Sequence, residues 1–130
     1  MKARMATMDT ELWDDNTLSE LTVMTSMLDD ADPVIRKQAA TMCIQLGWKA
    51  KPVLCELLRH LTDPEVVVRI ALAEAVYKLG ENQNSVKVLN DALRDRDVAA
   101  RLQALHVLEK FGYVIEPALR FVDSSDERIF

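Results

Sequence analysis

A chain of 130 residues with 49% hydrophobic side chains fits one domain with a continuous core, and its three glycines and four prolines leave most of the backbone free to be regular helix. A formal charge of -5 and a pI near 5.0 argue against a nucleic-acid partner, because that affinity comes from clustered Lys and Arg displacing counterions. No apolar run approaches the ~20 residues that cross a bilayer, so no membrane partner is expected, and Met1 to Asp9 lacks the apolar stretch of a secretory signal.

In chain order, residues 1–16, with Trp13 and the polar Asp14-Asp15-Asn16 run, form a lead-in that either caps the first helix or stays unstructured. That first helix is predicted at 17–28 from the apolar face Leu18, Leu21, Met24 and Leu28. Asp32-Pro33 opens a second at 33–46, since an acidic cap and an early proline both suit a helix start. Ile35, Ala39, Met42, Cys43 and Leu46 give that helix a 3.6-residue stripe, and Gly47 closes it. Helices at 50–61 (Leu54, Leu57, Leu58, Leu61) and 65–79 (Val68, Leu72, Ala75, Val76, Leu79, then Gly80) repeat the arrangement. A third pair stands at 83–94 (Val86, Leu89, Leu93) and 98–111 (Ala100, Ala104, Val107, Leu108, Phe111, then Gly112). Pro117 and Leu119 open a seventh helix at 115–122. Residues 123–130 break the pattern, because Arg128 lies five residues after Asp123 instead of six. They form a tail or a truncated unit.

The regularity is a repeat. Arg36, Arg69 and Arg101 are separated by 33 and 32 residues, and Gly47, Gly80 and Gly112 keep the same intervals, as do Leu28, Leu61 and Leu93. Asp30, Asp63 and Asp95 each precede the arginine by six residues. The units are therefore 17–47, 48–80, 81–112 and a partial 113–122, together one repeat domain over 17–122, and the fold class is an all-α solenoid of stacked antiparallel helix pairs with about seven helices.

The segments Asp30–Gly47, Asp63–Gly80 and Asp95–Gly112 resemble the HEAT-repeat family in a short form common in bacterial proteins. Ankyrin and tetratricopeptide repeats have similar periods, but their Thr-Pro-Leu-His and Trp-Leu-Gly-Tyr signatures are absent. The resemblance implies that Asp30, Asp63 and Asp95 form a structural ladder with Arg36, Arg69 and Arg101, bonding within and between units. The stretches Val68–Ala75 and Arg101–Glu109 are also similar to HEAT-like segments at the C-terminal end of some bacterial sulfatases. That similarity implies an alternative in which the chain is an accessory domain of a longer hydrolase. The sulfatase nucleophile motif, Cys or Ser followed by x-Pro-Ser-Arg, does not occur in this chain.

Catalytic, metal and cofactor residues are not expected. The two histidines, His60 and His106, stand in no nucleophile context, and there is no glycine-rich phosphate loop, Cys-x2-Cys pair or His-Glu-x2-His site. Cys43 aligns with Val76 and Leu108 and should be a buried hydrophobe, whereas Cys55 aligns with Lys87 and should face solvent. Two unpaired thiols suit a reducing compartment, so the cytoplasm is expected unless the chain belongs to a secreted enzyme.

Binding is expected on the surface made by the second helix of each unit, the face a solenoid presents in equivalent rows. The rows predicted to face out are Lys37, Ile70 and Leu102; Thr41, Glu74 and His106; Ile44, Tyr77 and Glu109; and Gln45, Lys78 and Lys110. Ile44, Ile70, Glu74, Tyr77, Leu102 and His106 are the candidate binding residues. The expected function is a non-catalytic scaffold or adaptor for a protein partner.

Overall fold

Six α-helices make up most of residues 14–113, the part of the chain that the computed structural model describes. They are α1 (Asp15–Leu28), α2 (Pro33–Leu46), α3 (Leu54–Arg59), α4 (Val66–Lys78), α5 (Asn82–Ala92) and α6 (Val98–Lys110). The predicted lead-in lies outside the described residues except for its last three, and so do the predicted helix at 115–122 and the tail.

Acidic caps form at three of the six described helix starts, whereas α3, α4 and α5 have no side-chain cap. The Asp14 carboxylate accepts the Thr17 N–H at the head of α1, Asp32 accepts from Val34 at α2, and Asp97 accepts from Ala99 at α6, each satisfying a donor that has no partner inside the helix. Helices α4 and α6 end in the Schellman arrangement. Glu81 N–H donates to the Val76 carbonyl at 3.0 Å, and Tyr113 N–H to that of Leu108 at 3.1 Å. This places Gly80 and Gly112 at φ of 98° and 93°, a region that an L side chain enters only under strain.

The segment predicted as one helix over 50–61 is broken. A 3-10 turn spans Gly47–Val53, α3 occupies Leu54–Arg59, and a second 3-10 turn spans His60–Thr62. Pro52 lies inside the first turn. It has no N–H to give to an α-helical ladder and disfavours α conformation at the residue before it.

Packing runs from hairpin to hairpin. Helix α2 lies against α1 and α4, while α4 also packs on α5 and α6. One core cluster joins Leu21, Met24, Leu28, Ala39, Cys43, Leu57, Leu72 and Val76 across the first two units. A second joins Ile70, Ala73, Leu89, Leu93, Ala104, Leu105 and Leu108 across the last two. Helix α4 contributes to both, and eight of its 13 residues are buried. Buried Ser85 on α5 donates its hydroxyl to the Ala73 carbonyl of α4 at 2.6 Å. Leu18, predicted as core, is instead 45% exposed. Thr17, Leu21, Met24 and Leu28 make the buried stripe of α1, and Leu18 stands one residue, about 100°, around the helix from Thr17.

Candidate functional site

The loop joining the two helices of each unit is built the same way three times. The carboxylates of Asp30, Asp63 and Asp95 accept the N–H two residues on, from Asp32, Glu65 and Asp97, at 2.8, 2.8 and 2.9 Å. Each arginine reaches back six residues to the same aspartate's main-chain carbonyl: Arg36 to Asp30 at 2.9 Å, Arg69 to Asp63 at 2.6 Å and Arg101 to Asp95 at 2.6 Å. The expected bond within a unit therefore runs to the carbonyl, because the short Asp side chain is already turned onto its own loop.

Between units, Arg36 pairs with Asp63 through Nε–Oδ2 at 2.7 Å and Nη2–Oδ1 at 3.2 Å. The carboxylate holds the Arg36 guanidinium above its ordinary pKa, with burial acting in the opposite sense. Arg69 and Asp95 do not form the corresponding ion pair, a departure from the expected ladder. Asp63 is delivered by the 3-10 turn that closes its first helix and is 6% exposed. Asp95 comes after the regular helix α5 and is only half-buried.

The second helices do line one surface. A groove of about 520 Å³ crosses α2, α4 and α6, lined among others by Lys37, Thr41, Ile44, Ile70, Glu74 and Gln103. His106 and Leu102 are exposed, Ile44 and Tyr77 are half-buried, and Ile70 and Glu74 are buried. The last two correct the expected outward rows. Both sit on α4, where α6 covers them: Ile70 enters the second core cluster, and Glu74 Oε2 accepts from Lys110 Nζ at 2.8 Å. Leu102 occupies the Ile70 register on α6, beyond which no helix is described, and is 47% exposed. Ile44 packs against the first core cluster.

At the C-terminal ends of these helices lies an aromatic cluster of which the rows contain only Tyr77. The Tyr77 and Phe111 rings stack with centroids 3.7 Å apart, and Tyr113 meets Tyr77 edge-on at 6.4 Å. Burial, and secondarily the Tyr113 phenol, raise the Tyr77 pKa. Sharing a second cavity with this stack is Trp48, 60% exposed. Lys51 Nζ lies 5.2 Å from the Trp48 ring centre while donating to the Leu79 carbonyl at 3.1 Å. Trp48 is legible in principle, since it comes directly after Gly47 as Tyr113 does after Gly112, so two units carry an aromatic at the position after the helix-closing glycine.

Cys43 is buried and Cys55 exposed, and both are free thiols. His60 Nε2 lies 3.3 Å from Asp29 Oδ1 across the joint of the first two units without making a hydrogen bond. Among the described residues no His, Cys, Asp and Glu cluster is placed to hold a metal ion, and no helix is long and apolar enough to cross a membrane.

The family model for HEAT repeats matches residues 21–109. With that match across stacked hairpins, the chain belongs to the HEAT-repeat family. No curated protein and no solved structure matches it.

Proposed function

We propose that the chain is a non-catalytic binding module that docks a partner protein along the second-helix surface. The observation that carries this reading is the groove shared by α2, α4 and α6, whose lining mixes Ile44 and Val67 with Lys37, Thr41, Gln45 and Gln103. A partner lying in it touches all three units at once, so each adds to one continuous contact. Apolar floor with a polar rim is also the composition of a protein interface. The free thiols favour a reducing compartment.

A photo-crosslinking residue placed at Thr41 or Gln103, compared with one at Lys87 on α5, tests the face. The groove positions should crosslink one protein, and that protein, once purified, should bind the chain directly. Crosslinking only from Lys87 would move the binding surface to the first helices and defeat the proposal.

A further inference from the structure

We propose that the cavity between Trp48 and the Tyr77–Phe111 stack receives an apolar side chain of an acidic peptide segment, with the flanking carboxylates of that segment held by Lys78 and Lys110. This rests on the reading of the second-helix surface as the docking face and names the chemistry of the partner.

The cavity, about 620 Å³, is lined by Gly47, Trp48, Tyr77, Lys78, Lys110 and Phe111. Three aromatic rings and two ammonium groups therefore converge with no carboxylate among the described lining residues. In a chain of net charge -5 this is a local reversal of sign. Glu74 takes one hydrogen bond from Lys110, but Lys110 remains 46% exposed in that pair, with ammonium protons left to give. Lys78 is exposed, and no ion pair joins it to another described residue.

The ends of α4 and α6 would themselves repel an anion through their partial negative charge. That effect is blunted here. The Schellman N–H groups satisfy carbonyls at both ends, and Lys51 Nζ takes the Leu79 carbonyl. Lys51 also lies close to the Trp48 ring, a cation–π contact that favours this position of the exposed indole. The apolar walls need an apolar guest, and the lysines need carboxylates beside it. A lone anion leaves the rings unused, and a lone apolar group leaves the charge unused.

The test uses the full chain with Trp13→Phe, leaving Trp48 as the single indole, and reads its emission. The probes are the peptides Glu-Glu-Phe-Glu-Glu, Glu-Glu-Ala-Glu-Glu and Lys-Lys-Phe-Lys-Lys. The first should shift Trp48 emission saturably. The other two should bind about tenfold or more weakly, and Lys78→Glu should weaken the first by a similar factor. Trp48→Ala, with binding read by anisotropy of a labelled peptide, should also cost about tenfold.

Equal binding of acidic and basic peptides, or indifference to both Lys78→Glu and Trp48→Ala, would overturn the inference. So would tighter binding of a short oligonucleotide, stronger binding of a peptide of residues 114–130, or a concentration-dependent dimer abolished by Lys78→Glu. The first of these assigns the lysines to phosphate, the second assigns the cavity to the chain's own C-terminal segment, and the third to a second copy. If the acidic peptide fails while Thr41 and Gln103 still crosslink a partner, this inference falls and the wider reading stands. Peptide binding with crosslinks only from Lys87 separates them the other way.

Discussion

Arg36 of the first hairpin holds Asp63 of the second through two hydrogen bonds, at 2.7 and 3.2 Å, while the same carboxylate caps the Glu65 N–H of its own loop at 2.8 Å. One side chain, 3% exposed, thus fixes both a loop and the joint between two units. Asp63→Ala should lower stability by about 3 kcal/mol, because it leaves a guanidinium and an N–H without their acceptor. Lys78→Ala, on an exposed side chain, should stay within about 0.5 kcal/mol. Urea unfolding of the two variants checks this, and equal midpoints would show that the joint does not depend on the pair.

The correction at α4 makes a second expectation measurable. Ile70 is 1% exposed and Leu102, its counterpart on α6, is 47% exposed. Ile70→Ala should cost about 2–5 kcal/mol from the lost contacts and the cavity left behind, whereas Leu102→Ala should cost well under 1 kcal/mol. Similar losses for both would mean that Leu102 is covered in solution.

Cys43 and Tyr77 set the alkaline behaviour. Burial pushes the Cys43 thiol up to about 12 from an ordinary 9.0, and Tyr77 is also raised above its ordinary 10.0. In each the folded state holds its proton more tightly than the unfolded state. The associated stability is therefore fully present below the unfolded value and is lost as pH rises through the folded one. Stability should decline from about pH 9 upward, and Cys43→Ala should remove the earlier part of the slope. At neutral pH a thiol reagent should label Cys55 at once and Cys43 only after unfolding; simultaneous labelling would contradict the burial of Cys43.

Among the described residues Gly80 meets no atom that a Cβ would touch within 4 Å, so its φ of 98° is what resists substitution. Gly80→Ala should destabilise by about 1–2 kcal/mol. Calorimetry that found the variant as stable as the parent would mean the loop has an alternative conformation of equal energy.

The repeat makes much of this fold legible. Constant offsets of Asp, Arg and Gly between units mark loop, helix start and helix end, and each of these is a local matter of capping and backbone angle. What the offsets miss is what differs between units. Treating Lys37, Ile70 and Leu102 as equivalent overlooks that α4 has a helix on either side, so the same register is buried at Ile70 and open at Leu102. The broken helix at 47–62 comes from Pro52, a residue visible in the sequence but outweighed there by the leucine stripe. The salt link from Lys110 to Glu74 joins two rows that alignment of the units keeps separate. The aromatic cluster escapes the alignment because Phe111 falls in a core register and Tyr77 in a surface one, when each half-buries the other.

Helix α4 has one further consequence. With eight of its 13 residues buried and both core clusters drawing on it, it meets water only along a narrow strip that includes Val67 and Lys78, and it cannot come loose without opening both clusters. Its amide protons should therefore exchange with solvent only when the whole repeat array opens, at a rate that reports global unfolding, while those at the start of α1 exchange through fraying. Single hairpins in a repeat protein are often pictured as beads that open one by one. Here the middle bead is the clasp, and a force pulling on the two ends would meet one abrupt release instead of a staircase.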